Sequence, residues 1–568
     1  MNLEVAYQGR SGLAPTAGGA NALRLAANLR REAVAFDAAF RLPLRFREAI
    51  SALHDVVIND LRFKPRNREE YQAWRQAQSL RDQGIRRAEY KRLKQEVLAD
   101  RPELPPDFEE NYNALRKKYW RLRGRHARRL WLRNPEMWRL LMPADPVVTV
   151  AEDVVFFECF SADQSSYGCL TLDRESAFGA STSLALGTTN VDYSWALYDH
   201  FQSMRSYRET RLKVDPEGVE AVTTGSGGHR EEKIDLPDGW LRGFMQVQSA
   251  MTLPMRRVRL TRDAVYSILA WLKRNKAKKS PRAMRFELTQ GKPPVIVLEP
   301  WEQAITSHGT KHEGPPVEPL RVWGVRRLLT LARMLPLAES FDVYLLGTGM
   351  PSFWVARMGE MRLTLGLSGW TANDWSGGSS LDALLPPGEV SESRLQSAAS
   401  LLQQERALPF AALQSGMVCS AGECAAALNQ LAYSGQLIHD LAAGVYRWRQ
   451  VMPAPLGVAE LGGESPEVVA SRSIVSAGHV KLEGREIRPT GLELLQGNSA
   501  GKPVELVLDR DGVIKRGKCD CSHCFRFGIR RGPCRHLLAL RAVAAGDAAP
   551  EDKSTADWYN RLLRLSKN

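Results

Sequence analysis

The sequence predicts a multidomain α+β protein, and three observations carry that reading. The chain has 568 residues, room for several domains of roughly 100 to 200 residues each. Apolar residues recur at helical spacing in some stretches and in short alternating runs in others. Cysteines are placed unevenly: Cys519, Cys521, Cys524 and Cys534 crowd one short segment, whereas Cys159, Cys169, Cys419 and Cys424 are scattered. With 44% hydrophobic and 25% charged residues the composition is globular, which excludes wholesale disorder and fibrous architectures. No run approaches roughly 18 consecutive apolar residues, and the opening MNLEVAYQGRSGLAP lacks a basic then apolar leader, so a cytoplasmic protein with no membrane partner is expected. In a reducing compartment, clustered cysteines point to a metal and not to disulfides.

Residues 1–146 read as a basic helical region. The segment 44-LRFREAISALHDVVINDLRF-63 carries apolar residues at helical spacing, and long Glu/Arg/Lys-rich stretches follow. Before residue 147 there are 29 Lys or Arg against 18 Asp or Glu, so +11 of the chain's net +14 lies here. It is densest over 116–139, where ten cations face Glu136 alone and Tyr119, Trp120, Trp131 and Trp138 are interleaved. Such a surface fits a polyanion: cations neutralise phosphates and release counterions, and aromatic or guanidinium planes stack on unpaired bases. An acidic protein would be attracted equally, and a solvated helix face is the plainer alternative. The candidate contact residues are Arg116, Lys117, Lys118, Arg121, Arg125, Arg128 and Arg129.

After the break at 142-MPADPVV-148 the pattern changes to short apolar or alternating runs, at 154–157, 169–172 and 295–298, with a meander over 343–370 that turns at Met358-Gly359-Glu360. Helical candidates at 264–279 and 321–335 lie between them. Residues 147–390 are therefore a mixed α+β domain, whose Trp301, Trp323, Trp354, Trp370 and Trp375 are expected in its core. The Gly/Ser/Pro-rich 376–389 is a linker.

Residues 392–452 have a defined element order. A helix over 394–405 and a short one over 409–414 precede Ser420, which with Glu423 forms a capping box and opens a third helix. The stretch 436-QLIHDLAAGVYRWRQ-450 then reads as a hairpin. Three helices and a hairpin resemble a winged helix-turn-helix, in which the third helix enters the major groove of DNA. From 420 to 434, however, Glu423 is the one charged residue, leaving Arg447 and Arg449 of the hairpin as phosphate candidates. A protein-contact or structural role is favoured.

The region 465–545 carries the strongest signal, and 546–568 is a C-terminal tail. A strand at 504–508, a turn at Arg510-Asp511-Gly512 and a strand over 513–519 lead into 519-CDCSHCFRFGIRRGPCRHLLALRAVAA-545. Residues i and i+2 of an extended chain point to one side, so Cys519 and Cys521 can close on one ion. Within a regular helix Cys534 and His536 would diverge, but Gly532-Pro533 sets Cys534 at the helix entrance and His536 in the first turn. Three thiolates and one imidazole make a closed tetrahedral site for one structural Zn²⁺, with no position for a catalytic water. A set using Cys524 in place of Cys519 remains open. Lys515, Arg516, Lys518, Arg526, Arg530, Arg531 and Arg535 surround the ligands; Arg526, Arg530 and Arg531 are further contact candidates.

At these residues the sequence resembles the SWIM-type zinc finger, Cys-x-Cys followed by Cys-x-His after a variable gap, over a finger core of 504–544. The resemblance implies a β-hairpin plus helix and contacts with nucleic acid or protein. With 321-RVWGVRRLLTLARMLP-336 and 373-NDWSGG-378, the wider chain resembles bacterial SWIM-finger proteins encoded beside MoxR-type AAA+ ATPases and von Willebrand A-domain proteins. That likeness implies, as the alternative role, a protein-contact subunit of an ATP-driven chaperone-like system that binds no nucleic acid.

Enzyme motifs are weak. The stretch 497-GNSAGKPVE-505 is one residue short of a phosphate loop and has Pro503 where a hydroxyl is needed, so it reads as a turn. Ser376-Gly377-Gly378 has no hydrolase context. His308 and His312 stand four apart, but Gly309 and Gly314-Pro315-Pro316 make the segment a loop. The expectation is a noncatalytic zinc-binding adaptor whose partner is DNA, RNA or an acidic protein, with an unrecognised enzyme in 147–390 as the least favoured role.

Overall fold

The computed structural model describes residues 4–8, 12–15, 21–26, 34–58, 146–191, 239–278, 280–369, 390–451, 466–488, 491–510, 514–529, 532–545 and 554–567, with most of 201–215, 230–234 and isolated positions elsewhere. The chain forms two compact units, Met1–Asn59 with Ala144–Asn568, and Asp60–Pro143. In the second unit Asn111, Ala114, Leu115, Lys118, Arg121 and Leu122 are helical and exposed.

The first unit corrects the expectation of a helical region through residue 146. Helix α1 (Pro43–Val57) is present, begun by its proline, but strands precede it. Glu4–Gln8 pairs with Arg230–Ile234. Gly12–Pro15, Asn21–Ala26 and Ala35–Ala39 join Thr210–Asp215 and Ser183–Ala185 in a five-stranded sheet. The Ala-rich runs favour helix by intrinsic propensity, yet Phe36 and Ala38 are buried in alternation. Pairing with strands some 170 residues away in sequence overrides the local preference, as strand formation commonly does.

The centre of this unit is an eight-stranded antiparallel sheet. Its strands are β1 (Val147–Val150), β2 (Val154–Phe160), β3 (Ser166–Asp173), β4 (Gly187–Asn190), β5 (Arg256–Thr261), β6 (Ser340–Leu345), β7 (Ser352–Met358) and β8 (Met361–Leu367), in the order β5-β6-β7-β8-β3-β2-β1-β4. Gly359 turns β7 into β8 at φ 66°, as the sequence predicts. Because successive strand residues face opposite sides, the sheet has two characters. One face presents Leu170, Leu363, Leu365, Trp354 and Val343, all fully buried, toward α1 and the 3₁₀ helix Val325–Met334. That 3₁₀ helix, preceded by the short strand Leu320–Val322, stands where the sequence predicts an α-helix. Trp323, Trp354 and Trp375 are core residues; Trp370 lies outside the described residues.

The other face carries Glu158, Arg257, Arg259, Asp342, Arg357 and Arg362, in cross-strand register. Helix α2 (Gly239–Thr252) covers part of it, with Phe244 edge-on to Phe160 at 4.9 Å. Helix α3 (Arg262–Arg274), N-capped by Thr261, packs on the 3₁₀ helix.

Residues 390–451 form α4 (Glu392–Glu405), β9 (Ala407–Leu408), α5 (Phe410–Met417), α6 (Ala421–Tyr433), β10 (Leu437–Asp440) and β11 (Val445–Trp448). The Ser420–Glu423 capping box is formed in both directions. Helix α6 is wrapped: Cys424, Ala426, Ala427 and Ala432 are fully buried, and α2 packs against it. Asn429 donates to the Ser249 carbonyl and hydroxyl at 3.1 and 3.0 Å and to Thr252 Oγ1 at 2.9 Å.

The next module has its own small core. Helix α7 (Pro466–Ser476) precedes a four-stranded antiparallel sheet of β12 (Val480–Ile487), β13 (Glu493–Ser499), β14 (Lys502–Leu508) and β15 (Ile514–Cys519), followed by α8 (Ser522–Phe527) and α9 (Arg535–Ala545). Ala500 and Gly501, at φ 48° and 76°, make the β13–β14 turn, so the loop resembling a phosphate cradle closes a hairpin. Helix α10 (Thr555–Lys567) returns to α6, burying Trp558 and Leu562. Among the described residues no helix is long and apolar enough to cross a membrane.

Candidate metal centre

Cys519, Cys521, Cys534 and His536 converge, with one ligand atom of each lying within 4.8 Å of all the others. Three chain segments achieve this. β15 delivers Cys519 at its last position. Cys521, two residues on, keeps the expected extended backbone, at φ −81° and ψ 156°, and caps α8, its Sγ accepting from the Cys524 amide at 3.4 Å. Gly532, at φ 95°, turns the chain so that Cys534 precedes α9 and His536 lies in its first turn. Gly517 lets α9 approach β15: a Cβ there would stand 2.8 Å from Leu537 Cδ1.

The donor set fits zinc. Zn–S near 2.3 Å and Zn–N near 2.0 Å at tetrahedral angles imply an S···N edge of about 3.5 Å, and Cys519 Sγ stands 3.6 Å from His536 Nδ1. Burial raises the thiols of Cys519 and Cys534, the latter to about 11, so without a cation both hold their protons at neutral pH. Burial also acts on Cys521, but the Cys524 amide and the neighbouring thiols outweigh it and hold this thiol below its ordinary value. Burial, and then the Arg535 guanidinium, lower His536, which leaves a neutral imidazole able to ligate. Four protein donors leave no open coordination position, which suits a folding role.

Cys524 does not belong to the converging set, in which Cys519 stands. The residue that sequence reasoning missed is Glu467 at the start of α7. Its Oε2 accepts from the Arg535 amide at 2.7 Å, and its Oε1 from Arg535 Nη2 at 2.7 Å. The Arg535 hydrogen bond lowers the Glu467 carboxyl. Glu467 thus fixes the residue between two ligands from 68 positions away, a distance at which no motif spacing signals it.

Of the expected contact residues, Lys118, Arg121 and Arg526 are exposed. Arg116, Lys117, Arg125, Arg128, Arg129, Arg530 and Arg531 lie outside the described residues. The phosphate candidates of the 392–452 hairpin are corrected: Arg447 is 4% exposed and bound to Asp153, and Arg449 is 1% exposed and bound to Glu158. Both are used inside the protein because the hairpin lies on the charged face of the main sheet. His312 is buried, with Nε2 3.2 Å from the Pro315 carbonyl, while His308 is exposed, so the two do not form a ligand pair.

No protein-family model matches the sequence, and no curated protein matches it. Among solved structures, the chain is similar to proliferating cellular nuclear antigen from Entamoeba histolytica at 12% identity and TM-score 0.28, over 40% of this chain and 89% of that one. A PCNA2–PCNA3 complex from Sulfolobus tokodaii gives 7% identity and TM-score 0.28, over 40% and 91%. A. fulgidus PCNA with the C-terminal region of FEN-1 gives 12% and 0.26, over 41% and 93%. At these TM-scores the likeness decides nothing about fold or function.

Proposed function

We propose that this chain is a noncatalytic adaptor whose C-terminal module is a SWIM-type zinc finger engaging nucleic acid. The convergence of Cys519, Cys521, Cys534 and His536 carries the reading, since a closed Cys₃His site stabilises a module whose core is small. Zinc is structural here: it holds β15, α8 and α9 together. The cations around it supply the surface, with Arg516, Lys518 and Arg526 exposed.

Residues 390–451 have the element order of a winged helix, and a specific observation favours protein contact over DNA for them. Helix α6, the element that would enter a groove, is enclosed by α2 and α10. The segment then works as an internal joint, and partner contact falls to the finger and to the basic stretch around Lys118 and Arg121.

The test is binding of labelled DNA to zinc-loaded full-length protein across a salt series. The reading requires a log affinity that falls linearly with log salt, with a slope proportional to the phosphates neutralised, and binding that is lost in Cys519→Ser. Absence of DNA or RNA binding at moderate salt contradicts it and leaves a protein partner.

A further inference from the structure

Phe525 is 90% exposed, the most exposed large hydrophobic residue among those described. It stands on α8, whose N-cap is the ligand Cys521. Its own amide donates to the Cys521 carbonyl at 2.9 Å, and the Gly528 amide to the Cys524 carbonyl at 2.8 Å. The ring is thus carried on a short helix pinned at one end by the metal centre. Ile529, just beyond, is 36% exposed.

The surroundings are cationic. Between 502 and 536 nine Lys or Arg face four Asp or Glu. On β15, Cys519 turns toward the site and Gly517 toward α9. Arg516 and Lys518 therefore face the opposite side by strand alternation, and both are exposed. Arg526 follows Phe525 directly and is exposed too. The acidic neighbours are few: Glu467 is engaged by Arg535 and lies 3.9 Å from His523 of α8, Glu505 lies opposite Lys518, Asp520 is exposed, and Asp509 is engaged by Lys515 at 2.8 Å.

An exposed aromatic ring beside an exposed guanidinium, on a cationic module, fits one kind of polymer. We infer that Phe525 is a stacking platform for an unpaired base, and that Arg526, next to it on α8, holds a flanking phosphate of a single-stranded nucleic acid. This rests on the nucleic-acid reading of the finger proposed above. A duplex presents phosphates but keeps its bases stacked on one another, so it would leave Phe525 in water. An acidic protein would satisfy the cations, and would cover the ring only if it also brought an apolar pocket. Base–aromatic stacking tolerates any base, because every base has a π-face, so the site selects strandedness and not sequence.

The test compares an oligothymidylate of about 12 nucleotides with a duplex of the same length, by fluorescence anisotropy on zinc-loaded full-length protein. Phe525→Ala weakens the single strand roughly ten- to hundredfold, Phe525→Tyr restores it, and duplex affinity is unchanged in both. Arg526→Ala lowers the salt slope for the single strand by about one phosphate contact. Zinc content, measured on each variant, stays at the wild-type value. If wild type binds the single strand and Phe525→Ala binds it equally well, the stacking role is wrong while the finger's nucleic-acid role stands. Equal losses for strand and duplex also overturn the stacking role. Wild type that binds neither removes both.

Discussion

Arg447 donates from both terminal nitrogens to the carboxylate of Asp153, at 2.5 and 2.8 Å, across 294 residues of chain. This bond joins β11 to the β1–β2 turn and anchors a network on the charged face of the main sheet. Arg362 Nη2 donates to Asp440 at 2.9 Å, the Tyr344 hydroxyl to the Leu441 carbonyl at 2.8 Å, and Arg357 Nη2 to the Ala442 carbonyl at 3.2 Å. Deeper in, Arg449 and Tyr167 both meet Glu158. The hairpin of 392–452 is therefore docked on the sheet by ion pairs. Arg447→Ala lowers stability by about 1–3 kcal/mol, since the Asp153 side chain is 56% exposed and water screens part of the loss. A double-mutant cycle with Asp153→Ala, followed by urea denaturation, should give a clear coupling energy; additive losses contradict the docking.

The Arg449–Glu158 pair is fully buried, so breaking it differs from replacing it. Glu158→Ala leaves a guanidinium without its counter-charge in a dry interior and costs about 3–5 kcal/mol. Joint replacement by Glu158→Leu and Arg449→Met recovers most of that loss. Equal stability of the single and double variants would show that the pair is not enclosed as described.

Acid sensitivity has one traceable source in His54 of α1. Burial first, and then Arg333, lower it from 6.5 to about 4. The unfolded chain takes up this proton between those values while the folded chain does not, so stability falls as pH drops from about 6.5 toward 4. The gap corresponds to on the order of 3 kcal/mol. Unfolding free energies of wild type and His54→Leu across this interval test it: the variant should show a shallower decline, and parallel curves contradict the assignment.

Much of this was legible in the chain, and the failures have physical causes. The ligand set, the Gly532-Pro533 turn, the Ser420 capping box and the β7–β8 turn depend on short-range geometry, which motif spacing and turn chemistry encode. The strands before α1 were not legible, because Ala-rich segments become strands through partners far along the chain. Glu467 was hidden for the same reason. Arg447 and Arg449 look like surface cations in sequence, and the carboxylates that enclose them come from another domain.

Gly422 records how closely α10 lies on α6. A Cβ at this position would stand 2.6 Å from the Thr555 carbonyl oxygen, a backbone atom that cannot rotate away. Alanine is favoured over glycine by up to about 1 kcal/mol in a helix interior and by less in the first turn, where Gly422 stands, so a small stabilisation is the local expectation. Overpacking at about 1–3 kcal/mol reverses the sign, and Gly422→Ala should destabilise and raise hydrogen exchange over 555–567. An unchanged exchange pattern would place α10 elsewhere.

Glu467 holds Arg535, the residue between Cys534 and His536. Glu467→Ala is expected to weaken zinc affinity by roughly ten- to a hundredfold, the range for residues that orient ligands without touching the metal. Competition with a chromogenic chelator measures it. Glu467→Gln, which keeps the acceptor for the Arg535 amide, should recover part of the affinity; affinity equal to wild type in Glu467→Ala would remove the positioning role.

The central claim is one structural zinc held by Cys519, Cys521, Cys534 and His536. Elemental analysis of purified full-length protein beside Cys519→Ser, Cys524→Ser and His536→Ala tests it most directly. The account predicts one zinc per chain in wild type and in Cys524→Ser, and its loss in Cys519→Ser and His536→Ala. Protein that folds without zinc, or zinc lost from Cys524→Ser but retained in Cys519→Ser, would contradict it.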